Sequence, residues 1–392
     1  MKTPLSRLLK VPTRSFFLFG PRGVGKSTWL KREVKAKATI NLLESSTFLE
    51  LSRNPSILEA KIGKLPAGSW IWIDEVQKIP QVLDEVHRLM EEHRWKFALS
   101  GSSARKLKRG GANLLGGRAI TRIMESFSFY ELGNEFELKN ALDWGTLPLV
   151  ALNQKDARDI LQAYVHTYIK EEIKEEGLVR KLEPFIRFLE IAGIMNGQLV
   201  NADNIAREAK IPRANVDVYF SILEDTLLGH LLPSYRPKAK VREGSHPKFY
   251  WFDPGVARGA AGLLNDPVDG LWYGTALETL IFHELRVYNH TSQKERTIAF
   301  YRTGSGVEID FIIETKKRTV SSKPSAICIE VKYSKRWDRK WEAPMRSLKA
   351  SGQVKVEKMF GVYMGADRYH FDGVDVLPVA HFLKLLYANK VF

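Results

Sequence analysis

The sequence predicts an α/β chain in three parts, and three stretches carry that expectation. An apolar strand, residues 15–19, runs into the glycine loop GPRGVGKS and on into the helix-like stretch TWLKREVKAK. Further on, three amphipathic stretches with capping residues precede a strand, a basic span and a second strand. Last, a long helical stretch precedes the two apolar strands in VEIDFIIE and SAICIEVKY. In the second of these Glu330 and Lys332 stand two apart and so share one side of the strand. The parts are expected at residues 1–145, 146–255 and 256–392, each long enough to bury its own core.

The 392 residues hold 60 Lys and Arg against 45 Asp and Glu, a formal net charge of +15. That excess points to a polyanionic partner, of which nucleic acid is the commonest. No run of about 18 apolar residues occurs, so no transmembrane helix is expected. The stretch MKTPLSRLLKVPTRSFFLF lacks an apolar run ending in a small-residue cleavage site, so no secretion signal is expected either. A single cysteine, Cys328, excludes an intramolecular disulfide and a Cys-rich zinc site. A cytoplasmic location is the combined expectation.

In the first part the pattern GxxxxGK[ST] is complete, between a strand and a helix as the motif needs. The phosphate loop is assigned to Gly20, Pro21, Arg22, Gly23, Val24, Gly25, Lys26, Ser27 and Thr28. The glycines let backbone N–H groups curl around phosphate oxygens, and the helix start adds a positive dipole. Lys26 should reach the β- and γ-phosphates of ATP, and Ser27 should hold Mg²⁺. A second strand, IWID, ends in Asp74 and Glu75. This Walker B arrangement gives Asp74 to the Mg²⁺ and Glu75 to the attacking water. A third strand, residues 96–100, leads to GSSARKL. There Ser102 is the choice for orienting that water, with Ser100 and Ser103 as alternates. Arg118, after the glycines of GGANLLGGRA, is a candidate arginine finger into a neighbouring subunit; Arg105, Arg109 and Arg122 compete for the role. The alternation of strands and helices implies a parallel sheet covered on both faces.

GPRGVGKS, IWIDEVQKIP, ALSGSS, LLGGRA and SFYEL together resemble the prokaryotic AAA-type ATPases that carry a C-terminal DUF4143 region, and the resemblance spans most of the chain. One departure is residues 40–45, INLLES, where such proteins tend to have an Asp-containing strand end. FYWFDPGVARGA also resembles that family, and Asp253-Pro-Gly is a turn by its residue chemistry, with no catalytic role.

In the middle part, GTLP is a turn, LQAYVHTYIKEEIKEEG a helical connector, and its charges a solvated face. PFIRFLEIAGIMNG, NADNIAREAK and PRANVDVYFSILEDTLLG then read as three helices. Asn201 or Asp203 caps the second, and Pro212 suits the first turn of the third. HLLPSY and FYWFD would form a hairpin. Three helices and a hairpin are the order of a winged helix. Arg236, Lys238, Lys240, Arg242 and Lys248 crowd the hairpin and suit phosphate contact. The third helix is acidic and apolar and is expected to pack against protein, which leaves backbone contacts from the wing and no base readout. A purely structural winged helix is the alternative.

In the last part, Glu278 and Glu284 lie in a helix, Glu308 and Asp310 in a hairpin strand, and Glu330 and Lys332 in the next strand. This order of helical Glu, hairpin Asp and Glu-x-Lys resembles the PD-(D/E)xK nuclease superfamily, which implies a restriction-endonuclease-like α/β domain. The resemblance implies that Asp310 and Glu330 are ligands of Mg²⁺ or Mn²⁺, that Lys332 aims at the nucleophile, and that Glu278 reaches the metal or orients water. Glu308 is the weaker candidate. Oxygen ligands suit those ions, and phosphodiester hydrolysis needs one. In YSKRWDRKW, Lys335 and Arg336, with Arg339 and Lys340, interleave with Tyr333, Trp337 and Trp341. Cations there would hold phosphates and a ring would stack on a base; the alternative is a solvated stretch with tryptophans packed inward.

The expectation is thus an ATP-dependent DNA-processing enzyme, an ATPase and a metal-dependent deoxyribonuclease, acting as a homo-oligomer with a hexamer as the leading arrangement and without a membrane. Its alternative is an ATP-switched DNA-binding or protein-binding ATPase with an inactive nuclease-like domain. RNA stands beside DNA as a partner.

Overall fold

A computed structural model describes the chain except residues 1–4, 104–106, 108–114, 170–172, 174–180, 238–245 and 304–305. Five strands, β1 (Phe16–Phe19), β2 (Ala38–Asn41), β3 (Trp70–Asp74), β4 (Lys96–Gly101) and β5 (Ile120–Ile123), form one sheet in the order β2-β3-β4-β1-β5. All of its pairings are parallel. Both faces are apolar because the strands are nearly continuous apolar runs, as sheets buried on two sides require. Phe16, Leu18, Trp72 and Ala98 enter one core, and Phe17, Phe19, Ile71, Ile73, Phe97 and Leu99 the other. Period-2 alternation makes that division.

The first of those cores does not stop at the sheet. It continues through Phe188, Phe220, Trp251 and Val256 of the middle region. That region holds the helices Leu182–Ile194, Ala202–Ala209 and Arg213–Asp225, then the antiparallel strands β6 (Gly229–Leu232) and β7 (Lys248–Trp251). Of the two capping residues weighed, Asn201 caps the second helix, accepting from the Asn204 amide at 3.1 Å. Pro212 precedes the third helix as its N-cap residue. On the third helix Val216, Tyr219, Phe220 and Leu223 are buried, so its apolar face is spent on protein. The buried Asp253 carboxylate accepts from Gly255 and Val256 at 2.9 and 3.1 Å, and from Thr146 at 2.7 Å. The two turns read separately in the sequence are thus one joint.

The C-terminal region opens with the long helix Gly270–Thr291. Strands β8 (Thr297–Arg302), β9 (Glu308–Lys316), β10 (Ser325–Lys332), β11 (Lys355–Tyr363), β12 (Tyr369–Phe371) and β13 (Val374–Pro378) follow, in the sheet order β12-β13-β11-β10-β9-β8. β8, β9 and β10 run antiparallel as a meander, whereas β10, β11 and β13 are parallel. The helix Ala343–Ala350 makes the crossover from β10 to β11. Within β10, Ile327, Ile329 and Val331 pack with the long helix, and Ala326 and Cys328 pack with Met345 and Leu348. Burial pushes the Cys328 thiol up to about 12, in keeping with an inert packed cysteine. The segment after β6 lies along β8, where the Phe300 amide donates to Pro233 and the Tyr235 amide to Phe300. That contact covers an edge of the sheet that would otherwise be open.

Glu284, on the long helix, is fully buried and accepts from the Phe129 amide at 2.7 Å and the Tyr387 hydroxyl at 2.5 Å. Burial raises its pKa to about 8 against those hydrogen bonds. The native state therefore holds a proton that the unfolded chain, at an ordinary 4.5, releases. Its contribution to stability is full below pH 4.5 and is lost as the pH rises towards 8. In Glu284→Gln the amide oxygen still accepts from Phe129 and the amide nitrogen donates to the Tyr387 oxygen, without a titrating group. Its thermal midpoint should fall less than that of the natural chain between pH 5 and 9, as read by calorimetry; parallel curves would refute the assignment.

Candidate functional site

The glycine loop fills the gap between β1 and its helix Lys26–Glu33. Gly23 and Gly25 adopt φ of +83° and +91°, the left-handed region that glycine enters without strain. The Lys26 side chain is buried in the loop, its ammonium donating to the carbonyls of Gly20 and Pro21 at 2.7 and 3.0 Å. The Ser27 hydroxyl donates to Asp74 at 3.3 Å, so the two residues read as Mg²⁺ partners do meet. Val24 is buried beneath the loop. The Arg22 guanidinium lies over the Tyr168 ring at 5.6 Å, and its carbonyl accepts from Tyr164.

A cleft of about 460 Å³ opens at this loop. Gly23, Gly25, Lys26, Ser27, Thr28 and Glu75 form its polar end, while Leu5, Phe127, Pro148, Leu149 and Leu152 form an apolar end. Backbone donors, a cation and a hydroxyl–carboxylate pair beside an apolar slot fit a nucleoside triphosphate with Mg²⁺. The apolar end comes from residues up to 147 positions from Leu5, which no local pattern announces. Arg7 also lines the cleft, lies over the Phe127 ring at 4.7 Å and pairs with Glu131 at 3.2 Å.

Ser100, in β4, and Ser102, just after it, take different places, and Ser103 beyond them is buried. Ser100 is bound to Asp74 at 2.6 Å and to Trp72 at 2.7 Å, so it fixes the carboxylate that the sequence assigns to Mg²⁺. Ser102 accepts from Gln77 at 3.2 Å, and Gln77 donates in turn to Glu75 at 2.5 Å. Gln77 thus connects Ser102 to the residue assigned to the attacking water. Gly101 makes room for it, since a Cβ there would stand 2.2 Å from Gln77 Oε1. The sequence signal was a glutamine two residues past the acidic pair, in a turn that the structure buries. Gln77→Ala should slow ATP turnover about tenfold by freeing the Glu75 carboxylate, with ATP affinity kept. Single-turnover hydrolysis beside a fluorescent-nucleotide titration checks this, and an equal loss in both would sink it.

Arg118 does not point at this cleft. It forms an exposed ion pair with Glu91 of the helix Val82–His93 at 2.6 Å. Its rival Arg122 is half-buried on β5, and Arg105 and Arg109 lie outside the described residues.

At the C-terminal sheet, β9 and β10 bring Asp310, Glu330 and Lys332 together. The Lys332 ammonium is 3.3 Å from Asp310 and in closer contact with Glu330. Asp310 also accepts from the Val331 amide at 2.8 Å. Both carboxylates are buried, and Glu330 Oε2 has no hydrogen-bond partner. Burial first, and Asp310 second, raise the Glu330 pKa to about 8 against the pull of Lys332. Burial disfavours the Lys332 charge, yet Asp310 and Glu330 outweigh it and raise its pKa. Glu278 is raised to about 7 by burial and then by Asp310. It is held by the Tyr250 hydroxyl at 3.1 Å and does not close a three-ligand group with Asp310 and Glu330. Among the described residues the one such group, with ligand atoms within 4.8 Å, is Glu59, Glu92 and His93, and Arg88 already pairs with both of its glutamates. Mutually repelling buried carboxylates with an orphaned oxygen fit a divalent cation in donor chemistry.

Several cations read as nucleic-acid contacts are placed otherwise. Lys248 is buried, paired with Glu308 and 3.9 Å from Glu278, so it belongs to the carboxylate cluster and not to an exposed wing. Arg236 is exposed; Lys238, Lys240 and Arg242 lie outside the described residues. Lys335 and Arg336 are exposed, whereas Arg339 pairs with Asp372 and Lys340 with Asp338. The expected base-stacking rings are engaged: Trp337 packs edge-on against Trp341 and Tyr363 and donates to Glu342 at 3.0 Å, and Tyr333 stacks on Tyr273. No helix among the described residues is long and apolar enough to cross a membrane.

Residues 12–133 match the family described as AAA domain, residues 135–266 the domain of unknown function DUF8612, and residues 273–382 the domain of unknown function DUF4143. No curated protein matches the chain. Among solved structures, the Orc1 protein of Aeropyrum pernix in complex with DNA aligns over 65% of this chain and 87% of its own, at 11% identity and a TM-score of 0.31. A likeness that slight bears on neither fold nor ligand. The parallel sheet, the glycine loop that follows its β1 strand and the match over residues 12–133 together support an AAA-type ATPase domain in this chain, which implies ATP binding.

Proposed function

We propose that the chain is an ATP-dependent DNA-processing enzyme, in which ATP binding and hydrolysis control cleavage of DNA at the C-terminal sheet. The observation that carries the reading is the meeting of Asp310, Glu330 and Lys332 at the abutting strands β9 and β10. The order of helix, three-strand meander, crossover helix and parallel strand around them supports a restriction-endonuclease-like domain. Asp310 and Glu330 would hold Mg²⁺ or Mn²⁺. Bound there, such an ion polarises a phosphoryl oxygen and lowers the pKa of water. Lys332 keeps its charge at neutral pH and supplies a cation beside the attacked phosphate. Glu278 orients water from the long helix. In the ATPase part, Lys26 holds the β- and γ-phosphates, Ser27 and Asp74 the Mg²⁺, and Glu75 the water that Gln77 and Ser102 help to place.

The three helices and the hairpin follow winged-helix order, with Arg236, Lys238, Lys240 and Arg242 as backbone contacts, joined by Lys335 and Arg336. The net charge of +15 supports a polyanion as partner. In a homo-oligomer Arg118 would serve a neighbour's site only by leaving Glu91. A second reading is favoured by one observation, that Lys332 already pairs with both carboxylates. On that reading the domain is an inactive nuclease fold used as an ATP-switched clamp.

End-labelled single-stranded, duplex and branched DNA, incubated with Mg²⁺ or Mn²⁺ and with or without ATP, decides between them. The natural chain should cleave, Lys332→Ala should lose cleavage about a hundredfold or more while still binding DNA, and Lys26→Ala should lose the ATP effect. Intact DNA in every lane, with ATP still hydrolysed, would leave the clamp.

A further inference from the structure

Strand β7 belongs to the middle region, yet two of its side chains enter the C-terminal carboxylate cluster. The Tyr250 hydroxyl donates to Glu278 Oε2 at 3.1 Å. The Lys248 ammonium stands 3.9 Å from the same oxygen and pairs more closely with Glu308. Both side chains are buried. The Tyr250 ring packs on Phe282 and Phe311, with centroids 5.1 and 6.1 Å away. Phe282 lies one helical turn past Glu278, and Phe311 follows Asp310 on β9. The phenol is therefore held by the two elements whose carboxylates face each other across the site.

We propose that Tyr250 is a positioning residue for Glu278, and that the carboxylate site is complete only with this strand of the middle region. The inference rests on reading the site as a divalent-metal centre. A glutamate has three rotatable side-chain bonds, and on a helix face nothing intrinsic selects one orientation. A fully buried phenol with fixed packing does so through one directed hydrogen bond. Lys248 engages Glu308 in the same place, which keeps that carboxylate from competing for the phenol. Partners that orient metal-binding groups commonly change affinity tenfold or more on removal. Tyr250→Phe keeps the ring and its packing and deletes only the donor.

The test is Mn²⁺ titration calorimetry on the full chain without nucleotide, the site's heat being the part lost in Asp310→Ala. Tyr250→Phe should weaken that binding about tenfold, and Glu278→Ala at least as much. The double variant should bind no more weakly than Glu278→Ala alone, because the phenol acts through the carboxylate. ATP turnover, remote from Tyr250, should be unchanged and certifies the fold. Additive losses in the double variant, or Tyr250→Phe binding like the natural chain while Glu278→Ala is impaired, would overturn the inference and leave the metal centre standing. Mn²⁺ heat that Asp310→Ala does not alter would overturn both.

Discussion

Arg286→Ala should lower the free energy of unfolding by about 3–5 kcal/mol. Arg286 lies on the long helix of the C-terminal region and pairs with Glu125 at 2.8 Å. Glu125 follows β5 of the ATPase sheet and is 4% exposed. Burial alone would push its pKa up, yet Arg286, with His290 at 3.4 Å, holds it well below the usual carboxylate range. Two other histidines near it cannot take over. Burial drives His283 down to about 4 and His230 well below its ordinary value, so both are neutral at pH 7. Deleting the guanidinium thus removes the two-pronged partner of a buried carboxylate between two regions of the chain and leaves it His290. Arg286→Lys keeps the charge without the two-pronged fit and should fall between the two. Denaturant unfolding at pH 7 checks the order; a loss under 1 kcal/mol for Arg286→Ala would mean that water reaches Glu125 and solvates it.

The same contact explains what the sequence could and could not disclose. The glycine loop, IWID and the apolar run of β10 are legible because their signals are local. A phosphate loop needs glycines at fixed spacing, and a strand buried on both faces needs consecutive apolar residues. Asn201 as a cap is legible for the same reason. Tyr250, Arg7 and Arg286 act through residues far away in the sequence, and nothing in their own neighbourhoods marks them. Lys248 departs from the exposed wing that cation density predicts. Arg236, in the same basic span, is exposed, whereas Lys248 lies in a strand and pairs with Glu308. Trp337 shows the converse. Interleaved aromatic and basic residues suited a stacking surface, but Gly361 leaves a space on β11 that the indole fills.

Lys26→Ala should cut ATP hydrolysis by about two to three orders of magnitude while leaving the fold intact. Two physical points separate that outcome from simple unfolding. First, the Lys26 side chain is buried in a loop built of backbone dipoles, and burying an ammonium costs solvation that its carbonyl partners only partly return. Removing it relieves that cost, so stability should change by less than about 1 kcal/mol. Second, the geometry around it does not depend on the side chain. Gly23 and Gly25 set the loop's course by their left-handed backbone, and the Ser27–Asp74 contact ties the helix start to β3 independently. What is lost is a cation whose two carbonyl partners phosphate oxygens would replace. Because a phosphate-loop lysine would stabilise the charge that develops on the transferred phosphoryl group, turnover should fall further than nucleotide affinity. Thermal unfolding with and without ATP, beside steady-state hydrolysis, reads both. Hydrolysis within a few-fold of the natural chain would remove Lys26 from the machinery and with it the assignment of the phosphate loop, whereas an unchanged apo midpoint with lost ATP stabilisation would secure both.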